Sequence, residues 1–297
     1  MYQQIDSNKR KTLILMTLFL AFIMFLGWII GKIYPDYGYG PLVLAVAISL
    51  LMTLVSYFAG DKISLTTAGA RGPITVNDNA YIYRLVENLC ITAGTPMPKV
   101  YIISDPGMNA FATGRDPEHA SIALTSGIIE GLKNEELEGV IAHELSHIKN
   151  YDIRLMMVVV VLVGAISILS DYFLRSSWRK RDSSNNSGGA GAILMVIGVV
   201  LIVLSPIIAQ LIQLAISRKR EFLADADGAL LTRYPEGLAK ALEKISSNST
   251  PLIKANTATA HLYIASPFGA KATSGFKKMF STHPPVEERI KQLRSMA

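Results

Sequence analysis

The sequence predicts an α+β membrane protein, with about four transmembrane helices in two hairpins and a mainly helical aqueous domain carrying a small β-sheet. Three observations lead there. Half of the 297 residues are hydrophobic, mean hydropathy is +0.33 and only 18% are charged, values that suit an integral membrane protein with a sizeable aqueous part. Four apolar runs fall into two pairs, inside residues 1–60 and 155–216. Between and after these pairs, stripes of helical period alternate with short β-like runs. The chain therefore divides into an N-terminal transmembrane hairpin (1–60), a first aqueous part (61–154), a second hairpin (155–216) and a second aqueous part (217–297).

The elements follow in order. Residues 1–11 are polar and end in Lys9-Arg10-Lys11. Thr12 to Ile30 then runs nineteen residues without a charge, enough to cross the hydrocarbon core. A signal peptide would share the basic start, but the run is long for one. No small-residue cleavage site stands before Gly31-Lys32, so a retained helix is expected. A turn through Pro35, Gly38 and Gly40 leads to a second charge-free run, Pro41 to Gly60. Basic residues at both outer ends of this hairpin (Lys9, Arg10, Lys11, then Lys62 and Arg71) place both ends in the cytoplasm.

In the first aqueous part, Asp78 to Ala93 reads as a helix, with Ile82, Leu85, Val86 and Leu89 on one stripe and Gly94 as its stop. Lys99–Ile103, Asn109–Thr113 and Ser121–Thr125 read as strands, the last two joined by a polar loop through Gly114 and Pro117. Asn134 is placed to cap the next helix, with Glu135 and Glu136 in its first turn, where the dipole favours anions. Leu137, Val140, Ile141, Leu145 and Ile148 form its buried stripe.

The third apolar run, Leu155 to Ser170, is sixteen residues, about 24 Å as a helix. The fourth, Ala192 to Ile216, is amply long and is expected to kink at Pro206. The loop between them carries Arg175, Arg179, Lys180 and Arg181. Two spanning helices would put that basic loop outside, against the charge bias. Either the first hairpin sets the topology or the second enters the membrane only partly; a spanning hairpin is the favoured expectation. After it, Arg218-Lys219-Arg220 marks a cytoplasmic boundary, and helical patterns follow at Glu221–Leu231, Pro235–Ile245 and Pro285–Ser295.

Charge and cysteine content narrow the partners. A net charge of +6 and a pI near 9.3 could suit nucleic acid, yet the basic residues sit mainly beside apolar runs. Anionic headgroups explain them, so the expected partner is the lipid bilayer and not nucleic acid. The single cysteine, Cys90, excludes an internal disulfide and a cysteine-based metal site, and fits a cytoplasmic aqueous part. Oligomeric state is not fixed by the sequence.

The chemistry centres on Ala142-His143-Glu144-Leu145-Ser146-His147. On a helix, His143 and His147 are an i,i+4 pair whose imidazoles project from one face and can share an ion. Glu144 lies one step round, beside the ion and free of ligand duty. Two neutral nitrogens to hold a metal and a carboxylate to take a proton from its water suit zinc-dependent hydrolysis. The bland alternative is two surface histidines on a helix.

A catalytic zinc takes three protein ligands and leaves one position open. A metzincin would need His at 153, which is Ile. In a thermolysin-like arrangement the third ligand is a downstream glutamate, and after His147 the first is Glu221, just past the fourth apolar run. Alone, Glu221 could be a juxtamembrane charge beside Arg218 and Arg220. As a ligand it makes the aqueous domain a zincin of gluzincin-like type. Asp225, one turn on, is placed to receive the second ring N–H of a zinc histidine. Because His147 and Glu221 flank the second hairpin, packing of its helices would assemble the site near the membrane surface.

These motifs, followed by His283-Pro284-Pro285 and Arg289, resemble the HtpX-type membrane zinc metalloproteases, relatives of the CAAX prenyl endopeptidases. The resemblance covers essentially the whole chain. It implies an endopeptidase that cleaves misfolded or damaged membrane proteins on the cytoplasmic side of the cell membrane, with one Zn2+ per chain. His143, His147 and Glu221 match its zinc ligands, Glu144 its general base and Asp225 its supporting acid. His283 matches the residue stabilising the tetrahedral intermediate, and Arg289 the partner of that residue. Asn109, Ala110, Phe111 and Ala112 resemble the family's edge strand, to which substrate backbone adds.

Without the resemblance, His283 reads equally well as a turn residue, Arg289 as an exposed helix charge and Phe111 as core. His119 and His261 show no partner pattern. Two rivals remain at this stage. A prenyl-peptide-specific protease is disfavoured because four apolar runs are few for an enclosed membrane chamber. A zinc-binding scaffold is disfavoured because a purely structural site has no use for Glu144.

Overall fold

The computed structural model describes residues 2–33, 36, 38–162, 164, 218–248, 250–256, 259–269 and 284–296. The uncharged stretches near the start do form long helices, α1 (Tyr2–Ile33) and α2 (Gly40–Ala68). At 1.5 Å per residue α1 is about 48 Å long, well over a hydrocarbon core of about 30 Å, so its polar first turns reach beyond the apolar span. Both helices pass for membrane spans in length and hydropathy, with only 22% and 17% of their apolar windows buried. Leu13, Leu18, Phe25 and Trp28 on α1 and Val43, Leu51, Leu54 and Phe58 on α2 face outward. A soluble core helix would hide such side chains; their exposure on both helices suits lipid.

The aqueous domain begins with a four-stranded sheet in the order β1-β2-β4-β3. β1 (Ala70–Arg71), β2 (Lys99–Ile103), β3 (Ala110–Gly114) and β4 (Ala120–Thr125) include the three expected strands. The two-residue β1, too short to show an alternation, is the addition. β2 and β4 run parallel, while β1 and β3 pair antiparallel at the two edges. Before β2, α3 (Ala80–Ala93) is capped by Asn79, whose side chain accepts from the Ile82 N–H. Asp78 stays outside the helix because its carboxylate is taken by Thr75 N and Oγ1, both at 2.7 Å. Gly94 ends α3 in the left-handed conformation.

After the short α4 (Ser126–Gly131) comes α5 (Asn134–Lys149), which carries the two motif histidines. Asn134 is its first residue and not its cap. Glu136 reaches back to the Lys133 N–H (2.8 Å), while the Asn134 amide is engaged by Tyr81 and Glu138. The apolar stripe expected on α5 is buried in full. It meets α7 (Arg218–Thr232) and α8 (Pro235–Ser247) on one side and the sheet on the other, and α9 (Val286–Arg294) closes the bundle over α8.

Helical conformation also covers 152–162, here α6, the start of the third apolar run. Met156 and Val160 pack with Leu65 and Ala68 of α2, and Val158 and Leu162 pack with Phe19, Ile23 and Leu26 of α1. This run therefore enters alongside the first hairpin. The rest of the second hairpin, 163 and 165–216, lies outside the described residues, apart from 164.

Candidate metal centre

α5 sets the site because its i,i+4 spacing stacks His143 above His147 on the face turned towards α7. α7 comes close because Gly228 lies against the His143 backbone. A Cβ there would sit 3.1 Å from the His143 nitrogen. Gly139 does the same for α8, where a Cβ would lie 2.7 Å from the Leu238 nitrogen. With the helices this near, Glu221, in the first turn of α7, faces both histidines.

The geometry is that of a three-ligand cluster. His143 Nε2 and His147 Nε2 are 3.2 Å apart, and Glu221 oxygens lie 3.9 Å and 3.6 Å from them. One ligand atom from each residue fits within a 4.8 Å span, and all three residues are buried. A tetrahedral ion with metal–nitrogen bonds of about 2.0–2.1 Å holds two nitrogens roughly 3.3–3.4 Å apart, so this N,N,O set fits a tetrahedral metal.

Each imidazole is oriented from behind. His143 Nδ1 donates to Asp225 Oδ1 at 3.0 Å, and His147 Nδ1 donates to Asp152 Oδ2 at 3.0 Å. With both Nδ1–H groups committed to carboxylates, the two Nε2 lone pairs confront each other. Only a cation or an added proton between them makes that arrangement favourable.

Charge points the same way. Glu144, Asp152, Glu221 and Asp225 are buried around the pair, facing two buried guanidinium groups, Arg220 and Arg289. With neutral imidazoles the described centre carries two uncompensated negative charges, the complement of a divalent ion. In the metal-free protein burial lowers the His147 pKa. The Asp152 hydrogen bond and the charges of Glu221, Asp152 and Glu144 outweigh it and push the group up to about 9. A metal at Nε2 displaces that proton.

Among the described residues Arg289 is the largest fully buried side chain, and it forms a fork on Asp225, Nε to Oδ2 at 2.8 Å and Nη2 to Oδ1 at 2.7 Å. Its Nη1 lies 3.8 Å from Glu221. Burial pushes the Asp225 carboxyl up, but the Arg289 charge and hydrogen bonds, with His143, hold it below its ordinary value. Arg289, the expected partner of His283, lies on the acid behind His143. His283 itself lies outside the described residues.

Sequence reasoning missed the support of His147. Asp152 follows a turn in which Tyr151 has positive φ (59°), and it also accepts from Arg220 Nη1 at 2.9 Å and Asn8 Nδ2 at 2.7 Å. Arg220, expected as a boundary charge, is thus buried in the site's surroundings. A carboxylate five residues after His147 was the available signal, and Asn8 left none. His119 is exposed beside Asp116, and His261 is buried against the Met156 carbonyl, both away from the cluster.

The strand expected to receive substrate, β3, is indeed an edge strand, and Asn109, Ala110, Phe111 and Ala112 are all buried. Phe111 packs edge-on against Tyr263, with ring centroids 5.0 Å apart. The Thr125 N–H to Asn109 carbonyl bond fixes the phase of pairing with β4, so alternation turns the peptide groups of Ala110 and Ala112 outward. The Ala110 carbonyl is taken by the Ile264 N–H (3.0 Å), and the Asn109 amide by Ala265.

Residues 77–297 match peptidase family M48. The chain belongs to that family. Proteins named protease HtpX homolog are similar throughout: 45% identical in Dictyoglomus turgidum (99% of this chain, 94% of that protein) and 43% in Caldanaerobacter subterraneus subsp. tengcongensis (100% and 98%). The one from Tropheryma whipplei is 44% identical, again across 100% and 98%. The crystal structure of S. mikatae Ste24p shares the fold, with a TM-score of 0.52 at 19% identity over 99% of this chain and 67% of that one. The M48 protein is thus a membrane metallopeptidase, its His143–His147–Glu221 cluster able to hold the metal that the family requires.

Proposed function

We propose that this M48 peptidase holds one zinc ion per chain on His143, His147 and Glu221. Its substrates are misfolded or damaged membrane proteins, which it cleaves at the cytoplasmic face of the cell membrane. The observation that carries the reading is the convergence of two Nε2 atoms and a carboxylate, with both opposite ring nitrogens held by aspartates. An N,N,O donor set without thiolates suits zinc in a hydrolase. Basic residues at both ends of the α1–α2 hairpin support the cytoplasmic orientation, and a catalytic domain interrupted by a second hairpin supports a site at the bilayer surface.

Zinc, when bound, lowers the pKa of water towards about 7 and polarises the scissile carbonyl. Glu144, buried on α5 between the two histidines, takes the proton of the attacking water and delivers it to the leaving amine. Asp225 and Asp152 hold the Nδ1 sides of the imidazoles and so keep both Nε2 atoms aimed at the metal position. Arg289 clamps Asp225, and His283 is the proposed donor to the oxyanion. Substrate backbone adds along Asn109–Ala112, engaging the outward peptide groups of Ala112, since the Ala110 carbonyl is already paired.

Glu144→Gln tests the assignment. Purified full-length variant retains wild-type zinc content but loses roughly 10²–10⁴-fold in casein or self-cleavage. Near-normal proteolysis with zinc bound would sink the role of Glu144. For the clientele, proteomes of membranes holding wild type and Glu144→Gln are compared. Membrane proteins should accumulate in the variant, and a change confined to soluble proteins refutes that part.

A further inference from the structure

α1 is apolar over most of its length, yet its second turn places an amide inside the aqueous domain. Asn8 is 2% exposed, on the part of α1 that precedes the charge-free run. Both of its Nδ2 hydrogens are used, on the Asn150 carbonyl at 2.9 Å and Asp152 Oδ1 at 2.7 Å. Its Oδ1 accepts from Arg220 Nη1 at 3.2 Å. Three partners of fixed polarity, a carbonyl, a carboxylate and a guanidinium, determine which way round the amide sits.

Asp152 is the hub of this network. Its Oδ1 accepts from Asn8 and Arg220, which leaves Oδ2 aimed at His147 Nδ1 at 3.0 Å. Asn8 thus lies two hydrogen bonds behind a metal-cluster imidazole, and it comes from a helix that also crosses the bilayer. A burial requirement alone would select an apolar residue here, as it does at Phe19 and Ile23 further along α1.

We propose that Asn8 is a positioning residue for the metal centre, through which the first membrane helix holds Asp152, and so His147, in ligating geometry. The inference rests on the reading of His143, His147 and Glu221 as the metal ligands. It makes the membrane anchor part of the active-site scaffold. Displacing the first turns of α1 loosens His147 while His143, supported by Asp225 and Arg289, keeps its orientation.

The test uses full-length protein in nanodiscs, comparing Asn8→Ala, Asn8→Gln, Ser64→Ala and His147→Ala. Ser64 is a buried hydroxyl of α2 outside this network and controls for the loss of a buried polar group. Zinc affinity is read by competition with a chromophoric chelator, and the visible spectrum of cobalt-substituted protein reports ligand geometry. Apo-protein melting temperature is read separately. Asn8→Ala should weaken zinc binding about tenfold, at the low end for an outer partner of a ligand, and alter the cobalt spectrum, with Ser64→Ala matching wild type. If Asn8→Ala does not fold, Asn8→Gln, which keeps the donors on a longer stem, should show the same spectral change with about threefold weaker binding. A lowered apo melting temperature with unchanged affinity and spectrum marks a structural role only and overturns the proposal. Unchanged zinc binding in His147→Ala overturns the ligand assignment, and the proposal with it.

Discussion

The two motif histidines sit one turn apart on the same helix, but different parts of the molecule hold them. Behind His143 stand Asp225 on α7 and Arg289 on α9, all within the aqueous domain. Behind His147 stands Asp152 at the start of α6, steadied by Arg220 of α7 and by Asn8 of α1. One ligand is fixed by the fold of the domain itself, the other by its junction with the membrane helices. On the proposed reading of these histidines as metal ligands, the difference means that an intact metal geometry requires the hairpin to be seated. Lys9 over the Tyr151 ring (4.6 Å), Arg154 over Tyr57 (5.7 Å) and Arg115 over Phe58 (5.6 Å) belong to the same junction.

The largest expected effect is on the His143 side. Asp225→Ala removes the orienting acceptor and takes the two-pronged partner from buried Arg289, leaving it only the longer contact to Glu221 (3.8 Å). We expect a loss of about 3–5 kcal/mol in stability together with roughly 10–100-fold weaker zinc binding. Thermal melts of the apo protein and chelator competition measure the two separately. A variant that melts like wild type would mean the Asp225–Arg289 fork contributes little.

Asp152→Ala is the matched change on the other side. Zinc binding again weakens roughly 10–100-fold. Arg220 keeps its bond to Asn8 (3.2 Å), so the stability loss should be smaller than for Asp225→Ala. The comparison breaks if the order of the two stability losses is reversed. Arg289→Lys should fall below both. It retains the charge but not the two-pronged fit, and should keep most of the stability while weakening zinc binding several-fold, since Asp225 loses its fixed orientation.

Legibility in the sequence followed the same divide. His143, Glu144 and His147 show themselves by local spacing, because a helix converts i,i+4 directly into a shared face. Glu221 and Asp225 could be reached by asking where the next carboxylates stood. Asp152, five residues past His147, offered the same kind of signal, whereas Arg220 and Asn8 did not, since their contact spans 212 positions and no period or motif relates them. Three of the four strands were legible from alternation, whereas β1 has only two residues. The occupation of the Ala110 carbonyl by Ile264 was equally hidden, since a loop that pairs with an edge strand has no pattern of its own.

The smallest effect lies at the other end of α5, where neither histidine is held. Lys244 of α8 binds Glu136 at 2.6 Å, with 40% of the lysine side chain and 6% of the glutamate side chain exposed. Burial pushes the Glu136 carboxyl up, but the Lys244 ammonium and the Lys133 N–H overcome it and hold it below its ordinary value. A depressed carboxylate stabilises the folded state above its unfolded pKa of about 4.3, and that contribution is lost as pH falls through the lower folded value. Solvent screens so exposed a pair, so Lys244→Met should cost at most about 1 kcal/mol at neutral pH. The gap from wild type, followed by thermal melts across pH, should narrow below about pH 4 as Glu136 protonates. Zinc affinity should stay unchanged throughout. If loosening this end of α5 did alter zinc binding, the helix would act as one rigid lever, and the separate anchoring of its two histidines would lose its meaning.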